Sequence, residues 1–267
     1  MQSNKTFHTR FHTTFTIAAI IASGAGCATD GDADADDPTE EYASELLGCY
    51  GTIDAKYQAL GGPGGFGQPL IPESTTAGST GTHRVYSSGA IYRRFNQCAW
   101  AVQGGILEKW GAQGWELGVL GYPVSDEEWV TDQRGRVSHF ERGSIYWSPA
   151  TGAAAIRGPI RTKWLAMGGV HSVLGYPVRD EAKAIRPPVI QEFEWGTIYS
   201  SPLATPYAVY GAIGQLHREL GGATGVAGAP TTDESSCWPS TLGTRCQRFE
   251  RGMITWTASV GPRFRPS

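Results

Sequence analysis

Neighbouring acids recur at a fixed interval in this chain of 267 residues: Asp126-Glu127, Asp180-Glu181 and Asp233-Glu234, with Glu73 alone at the corresponding place further upstream. Two carboxylates at a controlled separation can hydrolyse a glycosidic bond. They can also hold a cation through oxygen ligands, accept hydrogen bonds from sugar hydroxyls, or accept backbone amides and lock a turn. An active site is normally unique in a chain. Repetition therefore favours a brace or a repeated ligand contact over catalysis, and the chain is expected not to be an enzyme.

Aromatic side chains accompany the acids. Tyr92, Tyr146, Trp147, Tyr199 and Trp256 follow a repeated Gly-x-Ile phrase on what reads as a hairpin strand. Alternation along a strand sends Tyr146 and Trp147 to opposite faces, so one of each such pair can be exposed. An exposed ring beside a carboxylate can stack on a sugar, and a buried one packs between neighbouring units. His83, His139, His171 and His217 share no position and form no metal motif. There is no Gly-x-Ser-x-Gly elbow, phosphate-binding loop or dinucleotide fingerprint. No cofactor and no metal are expected.

The elements that carry these residues are set by the repeat. Pro69, Pro123, Pro177 and Pro230 are 54, 54 and 53 residues apart. Leu120-Gly121-Tyr122-Pro123 returns as Leu174-Gly175-Tyr176-Pro177, and weaker copies lie at Phe66-Gly67-Gln68-Pro69 and Ala227-Gly228-Ala229-Pro230. A period of this size means a repeat architecture. Units of 53–105, 106–159, 160–212 and 213–267 each open on a short helix. In the second, Ile106, Trp110 and Gln113 share one helical face. Glycine and proline then make a sharp turn, and alternating strands such as Val137–Phe140 and Ser144–Trp147 make a small meander. The class is mainly β with short helices. Such a unit must bury its apolar face on its neighbours. The last unit ends on Trp256 and Val260 with no polar cap, which favours a propeller-like closed ring over an open stack.

Residues 1–27 read as an export signal, with Lys5 and Arg10 before a short apolar run ending at Cys27. Its Gly-Ala-Gly-Cys end resembles a lipobox, which marks Cys27 for lipidation and the chain for tethering to a bacterial membrane; a cleaved signal and plain secretion is the alternative. Residues 28–48 read as an acidic disordered tether, because 28–45 hold eight acids and no base. Asp30, Asp32, Asp34 and Glu41 share the spacing of a calcium loop, but Ala35 stands where that loop needs glycine. The body that follows, 46–267, has 20 bases against 17 acids and no basic stripe, which argues against a nucleic-acid partner. With Cys27 set aside, four cysteines remain in an exported chain. Three pairings of Cys49, Cys98, Cys237 and Cys246 are possible; the favoured one is Cys237–Cys246, which would close a short loop, with Cys49–Cys98, which would tie the ends of the first unit, and buried free thiols are the alternative.

Over residues 50–260 the paired phrases, Leu-Gly-Tyr-Pro with its acids and Gly-x-Ile with its aromatics, resemble the LGFP repeat family. Units two and three match throughout; unit four has Ala227 and Ala229 at large apolar positions. The resemblance implies an exported, surface-associated repeat domain, 49–267, that holds cell-wall polysaccharide or peptidoglycan without catalysis. A structural or protein-interaction scaffold is the alternative, with 235–244 as its partner loop, and a small hydrolase is a third reading.

Overall fold

The computed structural model describes residues 50–181, 188–201, 204–237 and 243–267. The signal, the tether, Cys27 and Cys49 lie outside the described residues.

Each unit begins on a helix. Helix α1 (Ile53–Ala59) starts at Thr52, whose Oγ1 accepts the Ala55 N–H at 3.1 Å. It is followed by a single turn, α2 (Gly62–Gly65). The first sheet is β1 (Ser74–Thr75), β2 (Gly81–Tyr86), β3 (Gly89–Arg94) and β4 (Ala99–Gln103), antiparallel and in sequence order. The second unit repeats this with α3 (Gly104–Ala112), then β5 (Glu128–Trp129), β6 (Arg136–Phe140), β7 (Gly143–Ser148) and β8 (Gly152–Ile156). The third has α4 (Gly158–Ala166), β9 (Val189–Phe193), β10 (Gly196–Ser201) and β11 (Ala204–Tyr210); the segment that would supply its short first strand, 182–187, lies outside the described residues. The fourth has α5 (Gly211–Glu219), β12 (Ser235–Ser236), β13 (Arg245–Phe249), β14 (Gly252–Thr257) and β15 (Gly261–Pro266). None of the four antiparallel sheets closes into a barrel.

Helices α3, α4 and α5 follow the preceding strand directly. Gly104, Gly158 and Gly211 make that abrupt change with φ near +50° (48°, 55° and 57°), where glycine is tolerated best. The two-residue edge strands escape the sequence reading because alternation cannot be seen over two positions.

Packing runs from each unit to the next. One core cluster holds Ala90, Tyr92 and Val102 from the first sheet with Ile106, Trp110, Leu120, Phe140 and Ile145 from the second unit. The next joins Tyr146 and Ile156 to Trp164, Leu174, Tyr176 and Phe193 in the same way. A third joins Tyr199 and Val209 to Ile213, Ala227, Phe249 and Ile254. Helices α3, α4 and α5 are thus each held between the sheet before them and their own sheet, which is how a helix of nine residues persists.

The two ends break this pattern. Tyr122 Oη bonds to Thr76 Oγ1 at 2.7 Å and Tyr176 Oη donates to Asp132 at 2.6 Å, each reaching into the previous unit. The first unit has nothing before it in the repeat and carries exposed Gln68 at that position. At the far end, the outward face of β13–β15 shows exposed Arg248, Arg263 and Arg265. The expectation of an apolar last face therefore fails: Trp256 packs toward its own core, and only Val260 is left bare.

Candidate functional site

The Gly-Pro corner is built the same way four times. The helix aromatic donates to the corner glycine's carbonyl: Tyr57 to Gly67 at 2.7 Å, Trp110 to Gly121 at 3.1 Å, Trp164 to Gly175 at 3.1 Å, and His217 to Gly228 at 2.9 Å. A glutamate from the β-hairpin turn accepts the next N–H: Glu141 from Tyr122 at 3.3 Å, Glu194 from Tyr176 at 2.9 Å, Glu250 from Ala229 at 3.2 Å. Ser87 does this in the first unit, taking the Gln68 N–H at 3.1 Å. The corner glycines have φ of 85°, 73°, 71° and 80°, and a Cβ on Gly175 would run into the Glu194 carboxylate. Gly175→Ala is expected to cost about 2 kcal/mol, from left-handed strain and a displaced glutamate, readable as a lower urea midpoint.

The turn is therefore braced by the hairpin glutamate, a residue the sequence reading passed over. Its signal was present: Phe-Glu-x-Gly recurs at 140–143, 193–196 and 249–252.

The paired acids do something else. Asp126 Oδ1 accepts the N–H of Ala101, Asp180 that of Ala155 and Asp233 that of Ala208, at 2.9, 2.8 and 3.0 Å. Each of those alanines lies on the last strand of the preceding unit. The other oxygen meets that unit's helix lysine: Lys56 with Asp126, Lys109 with Asp180 at 3.2 Å, and Lys163 with Asp233 at 2.5 Å. The aspartates clasp neighbouring units together. In the fourth unit's helix the lysine position is Leu216, and at the first unit's corner the aspartate position is Pro72. The second acid of each pair takes an arginine: Glu127 with Arg136, Glu181 with Arg157, Glu234 with Arg245, at 2.9, 3.0 and 2.7 Å. Asp180, Glu181 and Arg157 line an open cavity of about 380 Å³. Burial raises the Glu181 pKa, and Arg157 opposes this.

The hairpin tyrosines are inside. Tyr92, Tyr146 and Tyr199 are 6, 7 and 6% exposed. They meet the next unit's helix aromatic edge-on, at 4.6 Å from Trp110, 4.9 Å from Trp164 and 5.5 Å from His217. Little of these rings is left free, because the following unit covers their side of the sheet. Trp147 and Trp256 are half-buried against the opposite side. Tyr92's phenol is pushed well above its ordinary pKa by burial and then by the Glu116 carboxylate.

Two histidines titrate low for the same reason. Burial pulls the His139 pKa from 6.5 to about 4, helped by the Arg161 charge, and burial lowers that of His217. The unfolded chain takes up these protons near pH 6.5 and the folded chain resists them. Stability is therefore full above pH 6.5 and falls as the pH drops toward 4, by about 3 kcal/mol from His139. Urea unfolding across that window should show the loss, and His139→Gln should flatten part of it.

One place departs from the repeat. The residue after the helix-ending glycine is Gly62, Gly169 and Gly222 in three units, with φ of 54°, 57° and 63°. In the second unit it is Trp115, at φ 54° and 40% exposed. A bulky side chain here is an outlier that costs about 1–2 kcal/mol. Gly111 makes room for it, since a Cβ there would meet the Trp115 ring at 2.5 Å. Trp115 lies roughly parallel to Tyr92, and Tyr92 to His83, with centroids 6.2 and 5.1 Å apart. These rings, with Thr76, Leu107 and the largely buried Glu116, line a cleft of about 340 Å³ between the first and second units. Glu116 accepts the Gly78 N–H at 3.3 Å. His83 Nδ1 is buried without a hydrogen-bond partner among the described residues.

A model of the LGFP repeat matches residues 66–118, 120–172 and 174–225. The chain belongs to the LGFP repeat family. No curated protein matches it. The matched LGFP repeat starts at the corner's leading apolar residue and runs through the sheet and the next helix. It is the helix-first unit seen in a shifted phase. The fourth corner lies past the matched segments, yet it keeps the same bonds through His217, Glu250 and Asp233. Trp115, Glu116 and His83 differ from the residues at the same places in this chain's other units, which is why a search for repeated features misses them; the one available signal was Gly114-Trp115 where other units read Gly-Gly. Cys237 and Cys246 are bonded, linking β13 to the edge just beyond β12. Cys98 is also disulfide-bonded, and its expected partner Cys49 lies outside the described residues.

Proposed function

We propose that the chain is a non-catalytic binding module of a bacterial cell envelope, exported and tethered through a lipid on Cys27, that holds a cell-wall polysaccharide or peptidoglycan strand. Membership of the LGFP family supports a cell-surface repeat module. The observation that carries the binding reading is Trp115. The repeated aspartates and tyrosines are occupied in joining units, and the second acids are held by arginines, which leaves the place where the repeat is broken as the better candidate for a ligand. Strain of this kind persists where a side chain has work beyond folding. The exposed indole gives a flat face for the C–H side of a sugar ring. Glu116, Thr76 and His83 supply polar groups at the wall of a cleft sized for one or two sugars.

The units are proposed to run as an open stack rather than a ring. Leu216 and Pro72 could not form the clasp that every other junction has, and closure would press an apolar helix onto Arg263 and Arg265. Burying those charges unpaired is costly.

Trp115→Gly restores the residue that other units carry at this position. It should fold with stability within about 1 kcal/mol of the parent, since lost packing is offset by relieved strain. It should bind isolated cell-wall glycan at least about tenfold more weakly, as loss of a stacking platform implies. Unchanged glycan retention by this variant would remove the cleft from the proposal.

A protein-interaction scaffold is the second reading. Val119, Val173 and Val226 stand exposed in register, one before each of the last three corners, with Leu117 and Trp195 also exposed. Part of the loop first assigned to a partner, 238–242, lies outside the described residues.

A further inference from the structure

We infer that the outward face of the last sheet is a second binding site, for an anionic polysaccharide. This goes beyond the Trp115 cleft and stands on different residues. Register places Arg248, Met253 and Arg265 side by side across β13, β14 and β15, with Cys246, Thr255 and Arg263 in the row below. Cross-strand partners share a face. The matching first rows in earlier units are Val85-Ala90-Val102 and His139-Ser144-Ile156, and they are covered by the next unit. In place of buried Val102, Ile156 and Val209 stands exposed Arg265; in place of Tyr92, Tyr146 and Tyr199 stands Thr255.

The face is therefore not a surface on which another unit docks. It is a concavity of about 510 Å³ bounded by the Cys237–Cys246 link, hydroxyls of Thr232, Thr255 and Thr257, and the three arginines. No carboxylate lines it, and none of the three arginines is ion-paired among the described residues. Glu234, next to the rim strand, is engaged by Arg245. Arg248 and Arg265 flank a central strand, so their stems are about 10 Å apart, and Arg263 and Arg265 are about 7 Å apart along β15. A small anion cannot reach all three. A polymer of sugars or polyols with one carboxylate or phosphodiester per repeating unit can, with threonine hydroxyls between the charges to meet its own hydroxyls. Arginine suits either oxyanion through paired N–H donors.

The test uses the full chain on immobilised polygalacturonate and on poly(glycerol phosphate), with neutral dextran as control. The triple variant Arg248→Ser, Arg263→Ser, Arg265→Ser should lose at least about tenfold in retention on one or both charged polymers. The polymer that responds tells carboxylate from phosphodiester. The serine variant should keep its binding to neutral cell-wall glycan, which separates the face from the Trp115 cleft, since no arginine of the face lines that cleft. The corresponding triple lysine variant should keep most of the binding, and added salt should release the parent chain, since exposed charges are screened. Absence of retention on both polymers, retention indifferent to the serine variant, or arginine-dependent binding to duplex DNA tighter than to either polymer would overturn the inference.

Discussion

Alanine at position 164 should cost about 4 kcal/mol and remove the third unit from the cooperative fold. Trp164 is fully buried, donates to the Gly175 carbonyl at 3.1 Å, and meets Tyr146 edge-on and Phe193 face-on at 4.9 and 5.8 Å. Its removal leaves a cavity at a junction and strips the corner carbonyl of its donor. A repeat array spreads such damage, because each unit is stable only against its neighbours. Trp164→His should recover part of the loss, since His217 makes the same bond to Gly228 in the fourth unit. Urea midpoints of the two variants decide this. Equal destabilisation by alanine and histidine would mean that volume alone matters and the bond to the corner does not.

Asp126→Ala should cost about 3 kcal/mol, because it leaves a buried ammonium without its counter-charge. The Lys56 side chain is 4% exposed, and the Ala101 N–H loses its acceptor as well. Lys56 also lies within 5.1 and 5.4 Å of the Tyr50 and Trp100 rings, which soften the loss without replacing a carboxylate. Adding Lys56→Leu, the residue that the fourth unit carries at 216, should return at least about 1 kcal/mol. A double-mutant cycle measures this coupling. Additive effects would show that the aspartate serves only its own turn.

Much of the fold was legible because glycine and proline mark turns through local backbone geometry, and because alternation and helical spacing are local too. Tyr146 and Trp147 do point to opposite faces. Which face the next unit covers depends on residues some 20 positions away, such as Trp164 against Tyr146, and no local pattern carries that. The Lys56–Asp126 clasp spans 70 residues and was invisible for the same reason. The carboxylate that braces the corner was sought next to the proline and lies instead across the β-hairpin, at Glu141, Glu194 and Glu250. The last sheet's arginines come from two strands and form a patch only when β13 and β15 flank β14. Trp115 has no repeated counterpart, so the period that reveals the fold carries no signal for it.

We propose that repeated residues hold the fold together and that binding lies where the repeat is broken. Titration of isolated cell-wall glycan into the parent chain, Trp115→Gly and Glu181→Gln tests it most directly. Trp115→Gly is expected to fold like the parent and lose binding, while Glu181→Gln binds as the parent does. Binding that survives in Trp115→Gly and disappears in Glu181→Gln would contradict it.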